Sequence, residues 1–356
     1  MRVNIFLVIV LISSVVWLFG CQAEEPAPEL PYYRIPQDIQ AFAPQPIRGG
    51  GVRPKLMELL GLESLPTRVE VTRKETVSSD DGIDSTRISF LNSLGETVPG
   101  LLMVPRGAAP QTLPGIVCMP GTSGSVDQIS DERLYRERDG QGPLRGWARE
   151  LARRGFATLA INLKGTVIRR RVFEDWEREA KMLIPYGRTQ MGVLVEEALK
   201  AARVLEAEPA VDPARVGLTG FSLGSYATWM AAACDPSIPA VAVLCGGLGT
   251  LAAVIHEGDP DRSSSYCYIP HMLRYFDHPE IVAATIAPRP LMMLAPLRHQ
   301  DMPRSGVDRL IEVVRPVYEE KGLAERFVVH RPDDEHNFRI EYFEWTVEWF
   351  KSQLGE

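Results

Sequence analysis

The chain has 356 residues, 45% of them hydrophobic, and carries 46 acidic against 39 basic side chains for a net charge of −7. That length and apolar content are enough for a large globular domain with a sizeable core, and they exclude an intrinsically disordered chain. The acidic balance, with no basic run beyond Arg169-Arg170-Arg171, speaks against a nucleic-acid partner and leaves that triplet as solvated surface or as a partner for a substrate carboxylate.

Residues 1–21 read as a lipoprotein-type signal peptide. Arg2 supplies the positive end, residues 5–19 are apolar except for Ser13 and Ser14, and Leu18-Phe19-Gly20-Cys21 resembles a bacterial lipobox in which Cys21 is lipidated. The expectation is a body outside the cytoplasm held to a membrane by acyl chains, an uncleaved N-terminal anchor being the alternative, and by the same resemblance Gln22 after the cysteine points to the outer membrane if the source is Gram-negative. Residues 22–51 are proline-rich and end in Gly49-Gly50-Gly51, a composition that favours an extended spacer.

The body, residues 52–356, opens with a short helix over 53–61 that carries Leu56, Met57, Leu59 and Leu60 and stops at a glycine. Residues 68–105 alternate as an antiparallel meander. From there, buried strands at 115–119, 156–163 and 215–219 are separated by helices at 144–154 and 190–207. Beyond them follow a helix at 226–234, strands at 240–245 and 291–294, a helix at 306–321, a strand at 326–330 and a closing helix at 340–354. Strands alternating with helices predict an α/β fold with a mostly parallel central sheet and helices on both faces. Residues 166–186 and 248–279 lie where insertions would form a cap. Apart from Cys21, the cysteines Cys118, Cys234, Cys245 and Cys267 are expected to be mostly free, buried thiols; no C-x-x-C or His/Cys cluster suggests a metal, and no cofactor is expected.

Gly220-Phe221-Ser222-Leu223-Gly224 lies between a short apolar strand and a helix, the setting of a nucleophile elbow. Such a turn strains its central residue and lifts the hydroxyl clear of the sheet, so Ser222 is the candidate nucleophile; an ordinary helix-capping serine is the plainer alternative. A serine needs a positioned base, and the base needs an acid. His336 lies in the polar turn after the last strand, where it can reach back over the strand ends. His330 sits within a strand, and His256, His271 and His278 fall in the expected cap. The acid should leave the loop after strand 291–294, where Asp301 is the only carboxylate, with Asp308 one helical turn further on. Two N–H donors are needed for an oxyanion: the amide of Leu223, and one from Pro120-Gly121-Thr122-Ser123-Gly124, with Thr122 the candidate.

With these residues in view, the chain resembles the α/β-hydrolase superfamily, and within it the dienelactone hydrolase and acetylxylan esterase-like branch. Besides the elbow, the resemblance rests on Val211-Asp212-Pro213-Ala214-Arg215-Val216-Gly217, on Ile286-Ala287-Pro288-Arg289-Pro290-Leu291 and on His336-Asn337-Phe338. It implies a metal-free acyl-enzyme mechanism on a small-molecule or polysaccharide ester. Two positions depart from the pattern: Pro120-Gly121 replaces His-Gly in the oxyanion loop, and His299 stands where relatives carry the aspartate, with Asp301 two residues on. The expected function is an extracytoplasmic serine ester hydrolase. A serine peptidase resembling the prolyl oligopeptidase group and a non-catalytic surface lipoprotein are the competing readings.

Overall fold

The computed structural model describes residues 45–77, 81–136, 142–170, 175–258 and 264–355. The signal peptide, Cys21 and most of the proline-rich segment lie outside the described residues. The spacer expected to run to residue 51 ends earlier: the amides of Gln45 and Ile47 donate to the carbonyls of Arg274 and Tyr275, and Ile47 packs on the core. Gly49–Gly51 then forms a single 3-10 turn that leads into helix α1, Val52–Leu60.

Nine strands form one sheet. In chain order the strands are β1 (Arg73–Val77), β2 (Ile83–Leu91), β3 (Thr97–Pro105), β4 (Leu113–Met119), the two-residue strands β5 (Tyr135–Arg136) and β6 (Leu144–Arg145), β7 (Ala157–Ile161), β8 (Val211–Phe221), β9 (Val241–Leu244), β10 (Leu291–Leu294) and β11 (Phe327–His330). The large sheet has the order β1-β2-β3-β7-β4-β8-β9-β10-β11, while β5 and β6 pair only with each other. The first three strands are the antiparallel meander read from residue alternation, and β3 also meets β7 antiparallel. From β7 to β11 every neighbour is parallel. Buried on both faces, β7, β9 and β10 have no exposed residue, which is why they read as continuous apolar runs.

Among the helices are α2 (Val126–Ile129), α3 (Trp147–Arg153), α4 (Asp175–Leu183), α5 (Gln190–Glu206), α6 (Leu223–Cys234), α7 (Leu251–Glu257), α8 (His278–Thr285), α9 (Arg304–Glu319) and α10 (Ile340–Leu354). One face of the sheet packs on α1, α5, α6, α8 and α9 through residues such as Leu56, Leu199, Met230, Ile281 and Leu310. The other packs on α3 and α10 through Trp147, Leu151, Phe343 and Phe350. The helix expected from residue 144 begins three residues later, because Leu144 and Arg145 pair with Arg136 and Tyr135 in a hairpin. Two paired residues are too few to leave a period in the sequence. Among the described residues, no helix is long and apolar enough to cross a membrane. Cys118, Cys234, Cys245 and Cys267 are free and buried.

Candidate active site

Strand β8 ends at Phe221 and α6 begins at Leu223, so Ser222 alone makes the turn, at φ +55° and ψ −113°. A non-glycine residue at positive φ is strained, and it persists only where its surroundings over-determine it. Here the two flanking glycines do so. A Cβ on Gly220 would lie 2.3 Å from the Gly224 carbonyl carbon, and one on Gly224 would lie 2.2 Å from the Met119 carbonyl oxygen. The helix starts earlier than its apolar pattern suggested, at Leu223 instead of residue 226, which puts the Leu223 amide in the first turn, where backbone donors have no partner within the helix.

The loop after β4 comes close to this turn: a Cβ on Gly121 would sit 3.1 Å from Cβ of Ser222. Gly124 N–H donates to the Gly121 carbonyl at 2.9 Å and closes the loop. Thr122 is tied to both expected cap segments, since its carbonyl accepts from the Val167 amide at 3.0 Å and its side chain bonds the Tyr266 hydroxyl. Burial pushes that phenol well above its ordinary value, so it stays neutral.

His336 follows β11 in a turn organised by Asp334. The amides of Leu297 and Arg298, in the loop after β10, donate to the carbonyls of Pro332 and Asp334, both at 2.9 Å. The buried Asp334 carboxylate accepts from the Arg339 guanidinium, from Asn337 Nδ2 at 2.8 Å, from Tyr342 Oη at 2.9 Å and from the Glu335 amide at 2.8 Å. Burial alone would raise this carboxyl, but these donors outweigh it and hold it well below the usual carboxylate range. The imidazole of His336 packs on Phe221 with centroids 4.7 Å apart.

His299 meets His336. The Nδ1 of His336 lies 2.6 Å from Nε2 of His299, a residue only 5% exposed. His299 Nε2 is also 3.2 Å from the Cys245 carbonyl, and its Nδ1 accepts from the Asp301 amide at 3.1 Å. An Asp301 carboxylate oxygen lies within 4.8 Å of the ligating nitrogen of each imidazole. The three residues thus form the kind of cluster that can hold a metal, which spacing along the sequence does not reveal. As arranged, the cluster is a hydrogen-bonded pair of imidazoles beside a carboxylate.

Two cavities open on Ser222. One of about 350 Å3 is walled by Thr122, Arg136, Trp147, Phe221, His336 and Phe338. The other, about 40 Å3, lies among Tyr226, Gly247, Tyr266, Met302 and His299. A larger groove of about 1010 Å3 between α1 and Tyr186 to Arg188 lacks Ser222 and both active-site imidazoles, so volume alone does not locate the chemistry. Sequence reasoning missed Arg136, whose Nη2 donates to Asn337 Oδ1 at 3.2 Å and whose Nε donates to the Gly142 carbonyl at 2.8 Å. It missed Asp334 as well, although an aspartate two residues before a candidate base and five before an arginine was a readable sign.

The remaining candidates lie elsewhere. Asp308 is exposed and pairs with Arg331. His330 stacks on Trp345 with centroids 4.4 Å apart, and His278 is buried against Trp229. Arg169 is not solvated surface: its side chain is largely buried and donates to the fully buried Glu197 at 2.7 Å. Burial raises the Glu197 carboxyl despite that partner.

The sequence profile of the Abhydrolase family matches residues 61–352. The protein YtaP of Bacillus subtilis (strain 168) is 28% identical over 288 residues, which is 80% of this chain and 92% of that one. Among solved structures, an acetyl xylan esterase from Paenibacillus sp. R4 superposes with a TM-score of 0.60 at 18% identity, covering 89% of this chain and 98% of that one. A glucuronoyl esterase from Solibacter usitatus does so with a TM-score of 0.61 at 16% identity, covering 90% and 99%. With that profile covering most of the chain, and with Ser222 set in a strained turn between β8 and α6 on a sheet that is parallel from β7 to β11, the chain belongs to the Abhydrolase family of α/β-hydrolases.

Proposed function

We propose that the protein is a serine carboxylic ester hydrolase that works through an acyl-enzyme. The observation that carries this reading is the strained Ser222, held by Gly220 and Gly224 at the mouth of two cavities with the Leu223 amide at its side. Ser222 Oγ attacks the ester carbonyl, and its proton passes to His336 Nε2 and from there to the leaving alcohol. Water then attacks the acyl-serine, with His336 taking its proton, and the acid leaves. The amides of Leu223 and Thr122 are the donors for the oxyanion. Asp301 and His299 share the position behind the base.

The unequal cavities support a small acyl group and a larger alcohol. About 40 Å3 suits an acetyl-sized group, and the wider cavity, with the faces of Trp147 and Phe338, suits a carbohydrate ring. The named activities of the acetyl xylan and glucuronoyl esterases point the same way. The lipobox at Cys21 supports a lipid-anchored body outside the cytoplasm; palmitate labelling that survives Cys21→Ser would refute the anchor.

The test is hydrolysis of p-nitrophenyl acetate and longer acyl esters by the full chain, with fluorophosphonate labelling of the serine. Turnover that falls as the acyl chain lengthens, and vanishes with labelling in Ser222→Ala, is the expected result. Folded protein that neither turns over nor labels would favour the second reading, a surface protein that binds its ligand without chemistry, which the presence of His299 in place of a carboxylate keeps in play.

A further inference from the structure

The first expected cap segment, residues 166–186, ends in an apolar run that stands in solvent. Helix α4 closes with Met182 and Leu183 and passes directly into the single turn Ile184–Tyr186, so Met182-Leu183-Ile184-Pro185-Tyr186 follow one another without a charged or amide side chain. Met182 is 64% exposed, Ile184 49% and Tyr186 84%, and Val167 and Ile168 of the same segment are exposed as well. Single exposed apolar side chains are ordinary, but a consecutive run on a folded surface marks a contact with something other than water.

The backbone holds this tip out. Gly187 N–H donates to the Ile184 carbonyl at 2.9 Å, Arg188 N–H donates to the Leu183 carbonyl at 3.2 Å, and Pro185 has no N–H to satisfy. The Thr189 amide donates to the Leu60 carbonyl at 3.3 Å, and a Cβ on Gly61 would lie 2.5 Å from the Gly187 carbonyl oxygen, so the turn is clamped to the end of α1. A tip whose amides are paired within the protein enters an apolar layer without stripping water from them. Beside it, Leu94, Ile168, Met182 and Leu183 line a groove of about 570 Å3. The groove's charged walls are Lys164, Arg169, Arg170 and Arg178 against Glu96 and Glu179. With exposed Lys181 next to Met182 and buried Glu197 beneath Arg169, five cations stand against three carboxylates, in a chain of net charge −7. Glu177 is turned inward, accepting from the Ser265 amide at 3.1 Å. The local excess of positive charge is a sum and holds whichever partners the arginines keep.

We infer that the tip and its groove are a second membrane contact, through which the body docks on a bilayer of anionic phospholipid. Apolar side chains at the tip, a tyrosine at its end and basic side chains around it match the order met on passing from acyl chains to phosphates. A sugar chain is recognised by flat ring faces flanked by hydrogen-bonding groups, which a Met-Leu-Ile-Pro run does not offer. The inference rests on the lipid-anchored reading for its setting. At no more than about 3.5 Å per residue, the 24 residues after Cys21, up to Gln45, keep the body within about 80 Å of an acylated Cys21. That tether raises the effective concentration of the bilayer, so a contact too weak to hold the protein alone is still populated. The acyl chains then set the distance, and the tip sets which face of the body meets the membrane.

Because Cys118, Cys234, Cys245 and Cys267 are buried, a thiol introduced by Met182→Cys or Tyr186→Cys in the full chain can carry an environment-sensitive NBD label. Ile340→Cys, exposed on α10 across the sheet, is the control. Each is made with Cys21 present and with Cys21→Ser, and mixed with phosphatidylcholine vesicles holding about 30% phosphatidylglycerol. Both tip labels are expected to brighten at least about threefold and to be quenched by lipids spin-labelled near the headgroup, and the Ile340→Cys label to do neither. Lys181→Glu should lower the ratio of docked to undocked tip by on the order of tenfold, and pure phosphatidylcholine should lower it further. Tip labels that do not respond on vesicle-bound protein, or that respond equally to neutral and anionic vesicles, overturn the inference. So does a response to protein concentration without lipid, which makes the face a contact between copies, or to soluble xylan without lipid, which makes it a carbohydrate site. The anchor is judged separately, by palmitate incorporation in the wild type. If that fails, the Cys21→Ser chain at about 5 mM lipid still decides the tip, since a weak contact is populated there without the tether and silence of the labels refutes it.

Discussion

The nucleophile side and the base side of the site are built from different materials. Around Ser222 the constraints are backbone on backbone: the Gly220 and Gly224 contacts leave no room for a methyl group, and the Ser222 amide donates to the Leu244 carbonyl at 3.0 Å within the β8–β9 ladder. Around His336 the constraints are side chains: the donors to Asp334, the imidazole of His299 and the ring of Phe221. A backbone constraint admits one geometry and tolerates few residues, whereas a side-chain constraint can be rewired by one substitution. His299 lies on the side where one substitution can be absorbed.

The sharpest break in that comparison is Ser222→Ala, which should lower esterase turnover by at least about 10⁴-fold with the circular dichroism spectrum unchanged. Next is Gly224→Ala. Its methyl group would lie 2.2 Å from a carbonyl oxygen in the buried sheet, so a loss of about 4 kcal/mol or more is expected, read as a large fall in urea midpoint or as failure to fold. Wild-type stability in that variant would mean the elbow is softer than drawn.

On the base side the expected losses are smaller and graded. Asp334→Asn should destabilise by about 1–2 kcal/mol at pH 7, because the buried amide accepts less well than the carboxylate from Tyr342, Asn337 and the Glu335 amide while exposed Arg339 is solvated, and should lower kcat several-fold by loosening the His336 turn. The carboxyl is depressed in the folded state, so its contribution is complete above the unfolded value of about 4 and is lost as the pH falls toward the native value. Urea midpoints of wild type and Asp334→Asn should therefore converge on acidification below about pH 4; a gap that stays constant would assign the loss to packing. The smallest effect is expected from Tyr266→Phe, which removes one hydrogen bond to Thr122 and should cost about fivefold in kcat/KM.

The same division explains what was readable in the sequence. The elbow was legible because glycines two residues either side of a serine, between an apolar strand and a helix, are a local pattern with a local cause. The parallel strands were legible because burial on both faces writes continuous apolar runs. His336 could be placed as a candidate by its position after β11, but its contact with His299 spans 37 residues and is made by two loops that only the sheet brings together. For the same reason the place of His299 was hidden: counted along the loop Asp301 is the only carboxylate, and nothing local says that the imidazole two residues before it would lie against His336 beside that carboxylate. The β5–β6 hairpin that brings Arg136 to the wider cavity was hidden by its brevity, and Arg169 looked like surface until Glu197 was found beneath it.

Thr122 is fastened to Val167 on one side and to Tyr266 on the other. The loop proposed to bind a developing oxyanion is therefore hydrogen-bonded to both expected cap segments, and a ligand that displaces either segment acts on the loop through those bonds. By thermodynamic reciprocity, whatever free energy an alcohol moiety gains by drawing those segments inward must reappear as tighter binding of negative charge at the loop, and an oxyanion mimic must in turn raise affinity for the alcohol. On the ester-hydrolase reading, a boronate and a sugar are therefore expected to bind with positive cooperativity, each lowering the Kd of the other.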